Sequence, residues 1–478
     1  KEDLAEFLEC PETDMPGFIS TRGTVFQDVL EGIALEEPRY FMSASSFAPT
    51  ADYWHLRVPG DVSLGCNADR AHRTGITGKG VKVAMVDSGW FKHPFFVNRG
   101  YRAAPVVLGP GASNPLADES GHGTGESANI FAVAPDVELL PVKINFVNSN
   151  GAFNAAVGLN PDIITCSWGS SKRFPPLSAA DQTLASSIAT AVASGITVIF
   201  SAGNGHWGFP GQHPDVISAG GTFMHPDESL EASNYSSGFT SNIYANRLVP
   251  DVCGLVGMLP RAMYIMLPLE PGDAIDAGNS GGNHPNGDET AADDGWAAFS
   301  GTSAAAPQLA GAAALIKQSC PRLGPTAIRD LLKKTARDVT KGKCHPSTGA
   351  NPATAGVDEA TGHGLVDAHK ASLLAKIRCV GPVIGPQPIG PQPIRPEPIR
   401  PEPIRPEPII GPRPIGPRPI GPQPIGPQPI RPEPVGPVRR IERTQQEVSE
   451  GGAMRRLSAE DVSAIEDMLI NGDLDIDS

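Results

Sequence analysis

Short, nearly unbroken apolar runs recur along the chain as far as about residue 378. The first is Val81, Val83, Ala84, Met85 and Val86, interrupted only by Lys82 and closed by Asp87-Ser88-Gly89. Residues 139–146, 163–168, 196–201 and 216–219 repeat the pattern. A run that is apolar on both faces predicts a strand covered on both sides, as in a parallel sheet. Helical patterns lie between the runs, over residues 122–133 and 179–194, the second stopped by Gly195. Strands alternating with helices predict an α/β fold: a doubly wound, mainly parallel sheet with helices on both faces. Ligands in such sheets bind beyond the carboxyl ends of strands, and Asp87 stands at one such end.

The pattern is weaker over residues 221–300, with one strand expected within 251–259 and a Gly-, Asn- and Asp-rich surface loop over 272–294. An Ala-rich run over 304–316 predicts a buried helix, opened by the turn Gly301-Thr302-Ser303. Residues 325–336 are amphipathic, with Ile328, Leu331 and Leu332 on one face, and a last helix ends near 377. Residues 1–55 read as an N-terminal arm or a propeptide remnant, with a short helix over 25–33, and 56–378 as the globular domain. Residues 379–438 are a Pro-rich linker containing ten copies of a pentapeptide, Gly/Arg-Pro-X-Pro-Ile or its Val variant. Such spacing of proline forbids helix and central strand, leaving polyproline II at about 3.1 Å per residue. It serves as a spacer or as a docking track for a proline-recognition module. The charged tail, 439–478, carries a short amphipathic helix with Val462, Ile465, Met468 and Leu469 on one face, suited to docking on a partner or back on the core.

The net charge of −14 argues against nucleic acid as the main partner. No run of apolar residues is long enough for a membrane span. The chain starts at Lys1-Glu2-Asp3 without an apolar signal region, so a signal was removed earlier or never existed, and the compartment stays open. Seven cysteines without a CxxC pair indicate neither a zinc site nor a dense disulfide framework, and Cys344 with Cys379 is one conceivable pair. Asp288, Glu289, Asp293 and Asp294 read as a solvated acidic loop or as calcium ligands of no recognisable spacing, so no cofactor is assigned.

Four polar residues stand at the ends of these elements with glycine beside them. Asp87 follows a strand, His122 opens a helix in Gly121-His122-Gly123-Thr124, Asn204 follows a strand in Ala202-Gly203-Asn204, and Ser303 opens the Ala-rich helix. Singly each reads as a cap or turn former. Together they supply an acid, a base, an amide donor and a hydroxyl nucleophile.

The order Asp, His, Asn, Ser, in the blocks Val86-Asp87-Ser88-Gly89, Gly121-His122-Gly123-Thr124, Ala202-Gly203-Asn204 and Ser300-Gly301-Thr302-Ser303-Ala304-Ala305-Ala306-Pro307, resembles the subtilisin-like serine peptidases over about residues 55–378. The resemblance implies a serine endopeptidase acting on a protein or peptide, with Ser303 as nucleophile, His122 as general base and Asp87 orienting the imidazole. It implies Asn204 as oxyanion donor, Ser167-Trp168-Gly169 pairing with the substrate backbone, and Ser201-Ala202-Gly203 flooring the main specificity pocket. It favours secretion without fixing a compartment. The alternatives are an inactive scaffold acting through its linker and tail, and a protease dedicated to processing one peptide. Two departures stand out. Glu126 occupies a position that is small or apolar in the family, and is expected as a solvated helix residue or a cleft-facing selector of basic substrates. Gln308 replaces a common histidine. Activity is expected to rise with pH around 6–8 as the imidazole becomes neutral.

Overall fold

The computed structural model describes residues 46–380 and the backbone of two short paired strands, Phe18–Ser20 and Gly32–Ala34. Gly32 and Ile33 are thus strand where a short helix was expected. The rest of the arm up to residue 45, the repeat linker and the tail helix lie outside the described residues.

The principal elements in chain order are β1 (Lys82–Asp87), α1 (His122–Val133), β2 (Glu138–Lys143), α2 (Ser149–Gly158), β3 (Ile163–Cys166), α3 (Ala179–Ala193), β4 (Thr197–Ser201), β5 (Ile217–Met224), β6 (Val252–Leu255), β7 (Ile265–Pro268), β8 (Trp296–Phe299), α4 (Thr302–Ser319), α5 (Pro325–Thr335) and α6 (Ala368–Val380). The central sheet runs β6-β5-β4-β3-β1-β2, all parallel, with Leu230–Ala232 added antiparallel to β5. Alternation along β1 divides the core. Val83 and Met85 face one layer with Ile130 and Phe131 of α1 and the alanines of α4. Ala84 and Val86 face the other, with Phe153 of α2 and Leu184 and Ile188 of α3. Each strand is therefore buried on both faces, which is why it reads as a continuous apolar run. Strand order reverses at β1, which has β2 on one side and β3 on the other. A crevice opens outside the carboxyl end of a strand at such a reversal, and Asp87 is the last residue of β1.

Several expectations need correction. Helix α2 has little apolar periodicity; it is fixed by Asn148, whose Oδ1 accepts from Gly151 N at 2.7 Å, and by burial of Ala152, Phe153 and Ala156. The stretch 272–294 is not wholly a surface loop. Asp273 caps a helix, Ala274–Asn279, accepting from the N–H groups of Ile275 and Asp276. Asp288 is fully buried and holds Thr290 and the Ala298 N–H. Among the described residues no cluster of three or more His, Cys, Asp or Glu is placed to hold a metal ion. The disulfide joins Cys320, at the end of α4, to Cys379 in α6 across a Cα separation of 5.4 Å. Cys344 is instead a buried free thiol near the Gly238 carbonyl. Proximity is decided by how α6 returns to α4, which cysteine spacing does not encode. Among the described residues no helix is long and apolar enough to cross a membrane.

A buried ion pair braces the β5 side. Arg247 donates to both oxygens of Asp251, at 2.7 and 2.8 Å, and Asp251 also accepts from Ser218 N of β5. Burial opposes the Asp251 charge, but the guanidinium outweighs it and holds the carboxyl below its ordinary range. Because the folded-state pKa is lowered, this stabilisation is present above the unfolded value and is lost as pH falls. Arg247→Met should cost about 3–5 kcal/mol near neutral pH, leaving the buried carboxylate with only the more distant Lys333 ammonium, 3.8 Å away, as counter-charge. Denaturant titration at pH 7 and pH 3 should show the gap narrowing in acid.

Candidate active site

Each of the four polar residues enters the crevice from a different element. Asp87 ends β1 and is buried; its Oδ1 accepts from its neighbour Ser88 N–H at 2.7 Å and from His122 Nδ1 at 2.7 Å. The helix carrying His122 can come this close because Gly123 packs on the β1 turn. A Cβ there would lie 2.3 Å from the Gly89 carbonyl oxygen and 3.1 Å from Asp87 Cβ. The approach is locked by Ser88 Oγ, which accepts from Gly123 N at 2.8 Å. Fully buried Asp118 accepts from Gly121 N, Thr124 N and Thr124 Oγ1 and so fixes the first turn of α1. Sequence reasoning missed Asp118. The signal that could have found it is an acidic residue just ahead of a helix start, the usual place of a cap.

Ser303 lies in the first turn of α4, where backbone N–H groups lack intrahelical partners. Proline at 307 removes the N–H that would bond the Ser303 carbonyl. That carbonyl accepts instead from Ser167 Oγ at 2.9 Å. In return Ser303 Oγ donates to the Ser167 carbonyl at 3.3 Å. Among the described residues no hydrogen bond joins Ser303 Oγ to His122. The helix start is thus pinned to the segment after β3 by a reciprocal pair.

Asn204 is oriented by the same turn. Its Oδ1 accepts from Thr302 N and Thr302 Oγ1, each at 2.9 Å, so its Nδ2 is left to donate into the cleft. Gly301 makes room: a Cβ there would be 3.0 Å from Asn204 Nδ2. Thr302 is a second residue that the sequence reading passed over.

A cavity of about 190 Å³ opens beside Ser303, lined among others by Ser167, Gly169, Ser201, Gly203, Asn204 and His206. Ala202 is not on its surface; it is buried behind, packed with Phe239 and Val249. Trp168 forms the wall between this cavity and a neighbouring groove of about 470 Å³. Its indole N–H donates to the Val86 carbonyl at 2.8 Å and its ring stands edge-on to Phe200. Beyond Gly169, Ser170 and Ser171 pair antiparallel with Gly208 and Phe209.

Glu126 is neither solvated nor lining that cavity. It is 1% exposed, one turn along α1 from His122, with Oε1 at 4.0 Å from His122 Nε2. Burial pushes its carboxyl up from the ordinary range, and the nearby Asp87 charge adds to this. Burial also works against a charged His122, but the Asp87 charge and hydrogen bond, with Glu126 and Asp118 behind them, outweigh it and raise the imidazole. The onset of the neutral base is therefore displaced above the pH 6–8 window read from the sequence.

Residues 78–364 match the family described as the subtilase family. Among curated proteins, the chain is 29% identical over 288 residues to alkaline elastase YaB of Bacillus sp. (strain YaB), covering 56% of this chain and 62% of that protein. It is 30% identical over 293 residues to subtilisin E of Bacillus subtilis (strain 168), covering 56% and 64%. It is 28% identical over 298 residues to subtilisin Savinase of Lederbergia lenta, covering 58% and 91%. The chain thus spans less than two thirds of the length of the first two relatives.

Proposed function

The chain belongs to the subtilase family, and from that premise we propose that it is a serine endopeptidase working through Asp87, His122, Ser303 and Asn204. The observation that carries this reading is the 2.7 Å contact between Asp87 Oδ1 and His122 Nδ1 at the mouth of the crevice that also holds the helix start of Ser303. A proton fixed on Nδ1 leaves Nε2 as the acceptor that a general base requires.

In the proposed reaction Ser303 Oγ forms a bond to the peptide carbonyl carbon while Nε2 takes the hydroxyl proton. The carbonyl oxygen becomes an oxyanion held by Asn204 Nδ2–H and the Ser303 N–H. Collapse breaks the C–N bond, and the amine leaves with the proton from His122. Water then adds to the acyl-enzyme with the same base assisting, and Ser303 is released. The contact of Ser303 Oγ with the Ser167 carbonyl is the resting position in this reading. Hydrogen bonds between nucleophile and base commonly tighten only when substrate is bound. The chemistry runs on protein groups and calls for no cofactor.

The cavity beside Ser303 takes the side chain on the acyl side of the scissile bond. Among the described residues its lining carries no carboxylate, so a basic side chain is not selected there. A fluorophosphonate probe tests the reading directly: Ser303 should be labelled, and an unlabelled wild-type chain would support the inactive-scaffold alternative instead. Asn204→Leu should lower kcat about 10²–10³-fold with little change in KM, since the Nδ2 donor is left for the developing oxyanion while Oδ1 only holds the Thr302 turn. That range is the one known for the equivalent donor of a subtilisin. An effect confined to KM would remove Asn204 from this role.

A further inference from the structure

The buried carboxyl beside the base has no part in the reaction above, yet its surroundings fix which way it faces. The backbone N–H of Leu255 can only donate, and it donates to Gln308 Oε1 at 2.7 Å. The amide of Gln308 is thereby oriented, and its Nε2 donates to Asn129 Oδ1 at 3.1 Å and to the Leu255 carbonyl at 2.9 Å. Asn129 is oriented in turn, and its Nδ2 donates to Glu126 Oε2 at 2.9 Å. Asn129 and Gln308 are fully buried, so no water competes for these bonds. The relay ends on Glu126 with Oε2 committed as an acceptor. The remaining oxygen, Oε1, is buried without a hydrogen-bond partner and lies 4.0 Å from His122 Nε2. The two departures from the family pattern, Glu126 and Gln308, are thus the two ends of one polar chain.

Resting on the peptidase reading, we propose that Glu126 is a positioning residue for the base: Oε1 and His122 Nε2, 4.0 Å apart, act as a coupled pair that carries one proton, and Ser303 must compete with Glu126 for that nitrogen. A buried carboxylate next to Asp87 is costly, and an uncharged imidazole next to a carboxylate is disfavoured. One shared proton relieves both. The other groups facing the pair are Asp87 from β1, Asp118 before α1, Asp273 against Gly121, and the Tyr235 phenol after Leu230–Ala232. Helix α4 presents only uncharged Ser303 and Gln308, the Phe299 ring lies 6.3 Å from the imidazole, and the Cys66 thiol meets only the far end of Gln308.

The consequence is an alkaline-shifted enzyme. In the full chain, Glu126→Gln should move the acid limb of kcat/KM down by about one pH unit, so that well below the limb the variant keeps about tenfold more of its own plateau. An unmoved or upward-moved limb overturns the proposal. The His122 ring, followed by NMR in a Ser303→Ala background, gives a readout that needs no turnover. With Glu126 present the ring should titrate in two coupled steps, and in the Glu126→Gln variant in one step at lower pH; a single step in both overturns it. This second readout also covers a Glu126→Gln chain that fails to fold, because the two-step titration is read on the chain that keeps Glu126. Failure of the peptidase reading would show separately, as absence of fluorophosphonate labelling.

Discussion

Replacing Ser303 by alanine is expected to lower kcat on the order of 10⁶-fold, the loss known for the serine of a subtilisin, with the fold intact. The hydroxyl makes one hydrogen bond among the described residues, 3.3 Å to the Ser167 carbonyl, so removing it takes little from stability. The carbonyl of residue 303 still meets Ser167 Oγ, and the helix start keeps its anchor. Peptide hydrolysis and probe labelling should vanish together, while thermal unfolding stays within a few degrees of wild type. Hydrolysis retained at more than about 1% would mean that another group attacks the substrate.

Asp87→Asn carries the second largest expected effect, a fall in plateau kcat on the order of 10⁴-fold, the size known for the like change in an unrelated serine protease. The structure adds a detail. Oδ1 of Asp87 accepts from Ser88 N–H as well as from His122, and an N–H can only donate, so the amide oxygen of asparagine stays at that position. The new Nδ2 then replaces Oδ2, which is buried without a partner. The ring keeps its contact but loses the negative charge that steadies its positive form. The acid limb should therefore drop to lower pH as the plateau falls, because the charge that raised the imidazole is gone. A plateau within tenfold of wild type would take Asp87 out of the mechanism.

The relation between sequence and structure differs from element to element for physical reasons. Helix α1 is found at the residues expected, 122–133, because glycines open it and apolar residues close it. The strands are found within a residue or two at most ends, and β5 runs on to Met224, because burial on both faces writes a continuous apolar run. Helix α2 left no such trace, since half of its ten residues are Ser, Asn or Gly and only three of its side chains are buried. The arrangement of Cys320 with Cys379, and not Cys344, follows from the return of α6 onto α4.

By itself the sequence determined the layered α/β fold and the four polar positions at element ends, because both are written in local patterns: apolar runs, helix starts and the glycines beside them. Only the tertiary structure decided what surrounds those positions. It alone showed the Thr302 grip on Asn204, the exchange between Ser167 and Ser303 that Pro307 makes possible, and a carboxyl at 126 turned inward against the His122 ring. Whether a polar side chain on a helix is solvated or buried depends on what packs against it. At Glu126 that is set by Asn129 and by Gln308, which is 182 positions away in the chain but reaches the same buried chain of hydrogen bonds.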